Sequence, residues 1–250
     1  MDTIQPFHCE ADLSFHETIV PTKDSVCYTY LIDLFMRNGK HLLMTGPTGT
    51  GKTVNINTHI STGLPGNFIP LPLTFSAQTS ANQTQDIIDS KCEKRRKGVF
   101  GPPAGKQYIV FIDDLNMPKR EEYFAQPPIE IIRQWFTYAG WYDRKTLMFK
   151  KLIDMTMIAA MGPPGGGRNP VTARLIRHYT VVNYTVMSDA SMENIYNTIL
   201  SAFLSGGFDQ SIKDLCGPIV RSTIETFQTI CRELLPTPAK SHYMYNLRDV

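Results

Sequence analysis

The chain has 250 residues, of which 42% are hydrophobic and 19% are charged, a composition that is ordinary for a globular protein. Its formal net charge of +2 provides no strong field that would attract nucleic acid or an anionic membrane surface, so we expect neither as a partner. No apolar run approaches the roughly 20 residues that a membrane-spanning helix requires. The five cysteines are widely spaced without a C-x-x-C pair, which indicates reduced thiols in the cytoplasm rather than disulfides or a zinc site.

Short apolar runs alternate with longer mixed segments, which is typical of a parallel α/β sheet. The predicted strands are residues 41–45, 68–75, 108–112, 154–161 and 179–186. Pro70 and Pro72 lack the N–H group that a central strand needs, so the second of these strands is predicted at an edge of the sheet.

Helical patterns occur between these strands and dominate the last part of the chain. One helix is predicted to begin at Lys52 and another to span residues 129–138. Beyond residue 188 the pattern becomes all-helical, with helices predicted from Ser191 and over residues 214–235. We therefore predict a large α/β subdomain over residues 1–187 and a small helical subdomain over 188–250, which we expect to continue beyond the last residue.

Two further runs of residues have simple structural interpretations. The basic run Lys94, Arg95, Arg96 and Lys97 is interpreted as a solvated loop or helix end rather than as a nucleic-acid patch. Residues 165–168 are rich in glycine but are not followed by Lys-Ser/Thr, so we interpret them as a flexible loop.

A phosphate-binding loop lies between the first predicted strand and the helix that begins at Lys52. It matches G-x-x-x-x-G-K-[ST] and consists of Gly46, Pro47, Thr48, Gly49, Thr50, Gly51, Lys52 and Thr53. Its glycines let successive backbone N–H groups point at phosphate oxygens, and the start of the helix adds its positive dipole end. Lys52 is predicted to reach the β- and γ-phosphates of ATP, and Thr53 to offer its hydroxyl to Mg²⁺.

Two aspartates follow the predicted strand 108–112. Because carboxyl ends of parallel strands meet at one edge of a sheet, Asp113 is predicted beside the phosphate loop, where it would hold the metal through water. Asp114 is then placed to orient or activate the attacking water. Many ATPases of this kind have glutamate there, and aspartate reaches about 1.5 Å less far, so slow hydrolysis is expected.

These motifs together resemble an AAA+ ATPase module, and longer segments resemble dynein heavy chains. The segments are VPT at residues 20–22, FIDDLNMP at 111–118, QPPIE at 126–130, GWYD at 140–143 and MGPPGGGRNPVT at 161–172. The resemblance covers about residues 15–250 and is most similar to the third AAA+ module of an axonemal dynein motor. It implies a P-loop NTPase fold, with a parallel five-stranded sheet flanked by helices and a small helical lid subdomain.

The resemblance also implies roles for individual residues. Val20, Pro21 and Thr22 would line the adenine pocket, and the nucleotide-binding set would extend to Val54. The first sensor position, which is commonly a polar residue near the γ-phosphate, falls at Gly162, and Arg248 matches the second sensor in the lid. Arg174 and Arg177 match the region that supplies an arginine finger to the nucleotide of a neighbouring module.

Three functions are compatible with these observations. The first is Mg-ATP hydrolysis within a microtubule motor ring that drives ciliary and flagellar movement, and the second is a regulatory module that binds ATP or ADP without hydrolysis. The third, an AAA+ ATPase acting on DNA, is disfavoured by the near-neutral charge. The resemblance implies as partners the neighbouring modules of the same heavy chain, microtubules through other parts of the motor, and dynein intermediate and light chains, within the axoneme of the cilium.

Overall fold

The computed structural model of the chain describes residues 18–238, 240, 243 and 245–250. Residues 1–17 of the predicted nucleotide-binding subdomain lie outside the described residues. The described chain forms two compact units, Thr29–Thr185 and a second unit made of residues 18–28 and 186–250. The subdomain boundary near residue 188 remains a prediction. Among the described residues, no helix is both long enough and apolar enough to cross a bilayer.

Strands, singly or three in succession, are interspersed with helices along the first three quarters of the chain, and helices follow. In chain order they are α1 (Lys23–Arg37), β1 (Leu42–Thr45), α2 (Lys52–Thr58), β2 (Phe68–Thr74), α3 (Ala81–Lys91), β3 (Glu93–Arg96), β4 (Val99–Gly101), β5 (Gln107–Asp113), α4 (Pro127–Tyr138), β6 (Gly140–Tyr142), β7 (Phe149–Leu152), β8 (Met155–Met161), α5 (Ala173–Ile176), β9 (Thr180–Asn183), α6 (Asp189–Ser205), α7 (Gln210–Lys213) and α8 (Cys216–Glu233). A π-helical turn, His59–Gly63, directly follows α2.

Five of these strands form a parallel sheet in the order β2-β5-β8-β1-β9. Each of them falls on one of the five predicted runs, so the predicted α/β fold of a P-loop NTPase is confirmed. β2 lies at an edge, as Pro70 and Pro72 indicate. The central strands are continuous apolar runs, as expected for a parallel sheet that is covered on both faces. Their residues Leu43, Val110 and Met157 are all fully buried.

The strand register brings the carboxyl ends of β1, β5 and β8 together. Leu43 of β1 pairs with Ala159 of β8, which in turn pairs with Ile112 of β5. The residues that follow these strands therefore emerge at the same edge of the sheet, the usual position of a ligand site in an open α/β sheet. These residues are the phosphate loop after β1, the acidic pair at the end of β5, and Gly162 after β8.

A second sheet of four short strands, in the order β3-β4-β7-β6, was not predicted. Its first strand, Glu93–Arg96, corrects the interpretation of the basic run as a solvated loop or helix end. Gly98, with φ of 72°, makes the tight turn into β4, and the two strands pair antiparallel. Arg95 donates to the Pro102 carbonyl at 3.1 Å, so one residue of the basic run has a structural partner.

The second unit contains α6, α7 and α8 in the region predicted to be helical. Met192 of α6 packs in one apolar cluster with Val220 and Ile224 of α8. Ser188 caps α6 by accepting a hydrogen bond of 3.2 Å from the Ser191 backbone N–H, which explains why the helix begins slightly earlier than the predicted Ser191.

Candidate nucleotide-binding site

The phosphate loop joins the end of β1 to the start of α2, and its backbone requires glycine. Gly46, Gly49 and Gly51 have φ values of 147°, 84° and 79°, which side-chain-bearing residues rarely adopt. A Cβ atom on Gly46 would lie 2.5 Å from the Tyr184 carbonyl oxygen, so the loop also passes too close to this backbone for any other residue. Gly51 precedes α2 without a side-chain cap, which leaves the first N–H groups of the helix for a ligand.

Lys52 is buried and folded onto the loop that carries it. Its ammonium group donates to the Gly46 carbonyl at 2.9 Å, to the Pro47 carbonyl at 2.6 Å and to the Thr50 hydroxyl at 3.2 Å. These contacts use all three donors of the ammonium group. Burial lowers the pKa of Lys52, and the charge of Arg168 lowers it further, whereas the two aspartates after β5 raise it.

The oxygen atoms predicted to hold Mg²⁺ lie side by side. The Thr53 hydroxyl at the start of α2 donates to Asp113 Oδ2 at 2.8 Å, and Asp113 Oδ1 accepts from the Asp114 backbone N–H at 3.0 Å. A hydroxyl and a carboxylate are hard oxygen ligands of the kind that Mg²⁺ prefers, and Mg²⁺ keeps several waters in such sites. The donor set therefore fits the metal predicted from the sequence.

Asp114 adopts an unusual backbone conformation directly after β5. Its φ of 52° lies in the left-handed region, which aspartate tolerates better than most residues. The turn is fixed by backbone hydrogen bonds from Leu115 to the Ala160 carbonyl and from Met117 to the Asp114 carbonyl, both 3.0 Å long. The Asp114 carboxylate is paired with Arg168, whose Nη2 lies 3.5 Å from Asp114 Oδ1.

Arg168 is the site residue that the sequence-based prediction missed. The Arg168 Cδ and Nε atoms both lie 2.8 Å from the position that a Cβ on Gly162 would occupy. A tight turn places Arg168 next to Gly162. The turn is closed by two backbone hydrogen bonds of 3.0 Å between Gly165 and Arg168. Residues 165–168, interpreted from the sequence as a flexible loop, form this turn, and their flexibility stays a prediction. The one signal in the sequence was the absence of a side chain at Gly162.

The remaining predicted residues lie at the surface or in the second unit. Arg174 in α5 and Arg177 just after it are both exposed, and Leu175 between them is buried. Arg177 Nε lies 3.3 Å from His178 Nε2. Thr48 and Val54 are exposed. The finger role of the arginines stays a prediction.

The predicted adenine-pocket residues precede α1. Val20 and Thr22 are buried. Thr22 and Ser25 exchange hydrogen bonds of 2.8 and 3.1 Å between their backbone N–H groups and hydroxyls, which caps the helix. Arg248 is exposed and lies in a turn. These residues belong to the second unit, and their roles toward nucleotide, with that of Pro21, stay predictions.

Comparisons with known proteins identify the same phosphate-loop fold and relate the chain to dynein heavy chains. A family model described as P-loop containing dynein motor region matches residues 7–187. The chain is 50% identical over 262 residues to dynein axonemal heavy chain 1 of Homo sapiens and 49% identical over 235 residues to dynein axonemal heavy chain 12 of Rattus norvegicus. It is also 44% identical over 253 residues to dynein axonemal heavy chain 6 of Homo sapiens.

These alignments cover nearly all of the chain but a small part of each relative. They include 100%, 93% and 99% of the chain and only 6%, 8% and 6% of the three relatives, respectively. The resemblance to axonemal dynein heavy chains is confirmed. The chain belongs to the family of P-loop containing dynein motor regions.

Proposed function

We propose that the chain is a nucleotide-binding AAA+ module of an axonemal dynein motor, most similar to the third module of the ring, and that it binds ATP or ADP together with Mg²⁺. The observation that carries this proposal is the convergence of Lys52, Thr53 and Asp113, which the loop after β1 and the end of β5 bring to one edge of the sheet. The same edge is where open α/β sheets bind ligands.

Each group at this edge has a distinct task. The backbone N–H groups of residues 46–53 hold the phosphates, and Lys52 exchanges its bonds to the loop carbonyls for phosphate oxygens. Thr53 would hold Mg²⁺ directly and Asp113 would hold it through water, and the metal would neutralise charge on the phosphates. Asp114 orients the attacking water in the hydrolytic version of this function.

A regulatory module with slow turnover is the second candidate, and two observations favour it. Asp114 reaches about 1.5 Å less far toward an attacking water than the glutamate that many such ATPases have, and Gly162 has no side chain to offer at the sensor position. In this version the bound nucleotide sets the state of the motor, and hydrolysis in the chain is slow or absent. Arg174 or Arg177 then acts as an arginine finger on the nucleotide bound by a neighbouring module, and not on the nucleotide bound by this chain.

The partners and the cellular location are proposed from the relatives that this chain resembles. Because the matched relatives are axonemal dynein heavy chains, we propose neighbouring AAA+ modules as direct partners and the ciliary axoneme as the location. Microtubules would be contacted by other parts of the full motor, and intermediate and light chains would join the same assembly. An AAA+ ATPase acting on DNA remains the alternative, which salt-dependent DNA binding in the micromolar range would favour.

Calorimetry combined with steady-state phosphate release separates the two versions. Binding of Mg-ADP and Mg-ATP with negligible phosphate release by the chain supports the regulatory module. Phosphate release that collapses in Asp114→Asn and Lys52→Ala supports the hydrolytic one. If neither nucleotide binds, both versions are wrong.

A further inference from the structure

Arg168 fills the place that a side chain at the first sensor position would take. Its Cδ and Nε each lie 2.8 Å from the Cβ position of Gly162, and its Cζ lies 3.3 Å from it. Even an alanine at residue 162 would therefore displace the guanidinium group. The glycine at this position is thus explained by the arginine that packs on it.

The turn that carries Arg168 is attached to the strand ends around the site. Asn116, which follows β5, donates from its side chain to the Gly162 carbonyl at 2.8 Å. Asn169 donates from its backbone to the Asn116 carbonyl and from its side chain to the Pro118 carbonyl, both at 2.9 Å. The backbone on both sides of Arg168 is therefore held in place, while the side chain keeps its rotatable bonds.

The bonding of the guanidinium group is incomplete. Its Nη2 is 3.5 Å from Asp114 Oδ1, which is longer than the 2.7–2.9 Å of a charge-assisted hydrogen bond. Its Nε is buried and, within the described part of the chain, has no hydrogen-bond partner. An unsatisfied buried donor costs free energy, so an anion that drew the guanidinium group into full hydrogen bonding would be favoured.

The geometry points to Arg168 as a γ-phosphate sensor supplied by the chain itself: it pairs with Asp114 when the site holds no triphosphate, and transfers to the terminal phosphate of a nucleoside triphosphate when one is bound. This inference rests on the proposed nucleotide binding and deepens it. It assigns to Arg168 the distinction between triphosphate and diphosphate, and it makes Asp114 free to orient water only in the triphosphate state.

Electrostatics and chemistry support the transfer. The charge of Arg168 contributes to the lowered pKa of Lys52, so the guanidinium group lies close enough to the lysine of the phosphate loop to act on it electrostatically. A planar guanidinium can donate two parallel hydrogen bonds to phosphate, and an anion of higher charge than one carboxylate competes well for it. A diphosphate lacks the terminal group and leaves Arg168 with Asp114.

The test compares the dissociation constants of Mg-ADP and of Mg-adenylyl imidodiphosphate, whose β–γ bridge resists hydrolysis, by titration calorimetry on the chain. In Arg168→Ala we expect the affinity for the triphosphate analogue to fall roughly 10- to 100-fold, as expected for loss of a charge-assisted hydrogen bond. The affinity for Mg-ADP should change less than twofold. Arg168→Gln, which keeps most of the side-chain volume, should give the same selective loss.

Two further variants test the geometry. Gly162→Ala should displace the guanidinium group and selectively weaken binding of the analogue. Arg95→Ala is the matched control, because the Arg95 side chain is 25% exposed against 21% for Arg168, and its guanidinium lies 3.7 Å from Asp154. It should leave both dissociation constants unchanged.

The outcomes separate this inference from the proposed function. If the unaltered chain binds Mg-ADP but Arg168→Ala and Arg168→Gln keep their selectivity, or lose both nucleotides equally, the sensor role is overturned while nucleotide binding stands. If the unaltered chain binds neither nucleotide, the proposed function itself fails.

Discussion

The hydroxyl of Thr53 lies 2.8 Å from the carboxylate of Asp113, although 60 residues separate them in the chain. Thr53 is held by the start of α2 and Asp113 by the end of β5, so the contact is set by the sheet order rather than by a local turn. Because both oxygens already lie side by side, little reorganisation would be needed for Thr53 to hold the proposed Mg²⁺ directly and for Asp113 to hold it through water.

Removing the Thr53 hydroxyl should therefore weaken the part of nucleotide binding that depends on metal. In Thr53→Ala we expect the affinity for ADP with Mg²⁺ to fall by about tenfold, and the affinity in EDTA to change little, because the phosphate loop itself is retained. Calorimetry with and without EDTA measures both. Thr62→Ala, which removes an exposed threonine hydroxyl that donates to the Thr58 carbonyl at 2.7 Å, is the control. An equal loss in both conditions would contradict the metal role.

The stability of the chain should depend on pH through His41. The His41 ring lies 4.3 Å from the Phe136 ring centroid, and its Nδ1 accepts the Met157 backbone N–H at 3.0 Å. Burial lowers the pKa of His41 from 6.5 to about 4, with a smaller contribution from the nearby His178. As the pH falls, the unfolded chain therefore binds a proton at His41 before the folded chain does. The contribution of neutral His41 to the free energy of unfolding is complete above about pH 6.5 and is lost as the pH falls toward 4.

The loss from His41 amounts to about 2 kcal/mol at pH 5. Urea unfolding at pH 7.5 and pH 5 measures it, with His41→Asn as the comparison, since its Oδ1 can accept the same N–H but does not titrate. The free energy of unfolding of the variant should decline less between the two pH values, by about this amount. Equal declines in the two proteins would rule out His41 as the source.

Trp141 should be one of the main contributors to folding stability in the larger unit. It is fully buried in the core cluster, and its Nε1 donates to Asp89 Oδ1 at 3.0 Å. Trp141→Phe should cost about 1–3 kcal/mol, because Asp89 loses one donor, and Trp141→Ala should cost about 3–5 kcal/mol.

The neighbouring residue provides the control for Trp141. Tyr142 is 57% exposed and its ring contacts the Phe149 ring edge-to-face, so Tyr142→Ala should cost about 0.5–1.5 kcal/mol, well below the cost of Trp141→Ala. Urea midpoints with an unchanged slope would give all three values. A small effect of Trp141→Ala would mean that β6 does not pack on the core as described.

The large sheet and the phosphate loop could be predicted from the sequence because their signals are local. The central strands are continuous apolar runs, and the loop motif fixes glycines where the backbone needs positive φ. The second sheet could not be predicted, because β3 and β7 have only four residues each, most side chains of β3 are exposed, and neither strand is a continuous apolar run. The position of Arg168 depends on a turn through three glycines, and no periodic pattern indicates it.

The division of roles within the site was also only partly predictable. The pairing of Thr53 with Asp113 follows from the parallel order of the sheet, which the alternating runs indicate. The pairing of Asp114 with Arg168 arises from the left-handed conformation at Asp114 and the turn after β8, which the sequence does not reveal. The side chain that packs against Gly162 is therefore identified only from the three-dimensional structure.

Calorimetric titration of the chain with Mg-ADP tests the central claim most directly. The unaltered chain should bind the nucleotide, and Lys52→Ala should weaken binding on the order of 100-fold, because a buried charge-assisted contact is lost. Lys106→Ala is the control, since its ammonium also donates to a backbone carbonyl, that of Gly66 at 2.6 Å, but is exposed. Loss confined to Lys52→Ala is the predicted result, whereas an absence of binding by the unaltered chain, or equal affinities in all three proteins, would contradict it.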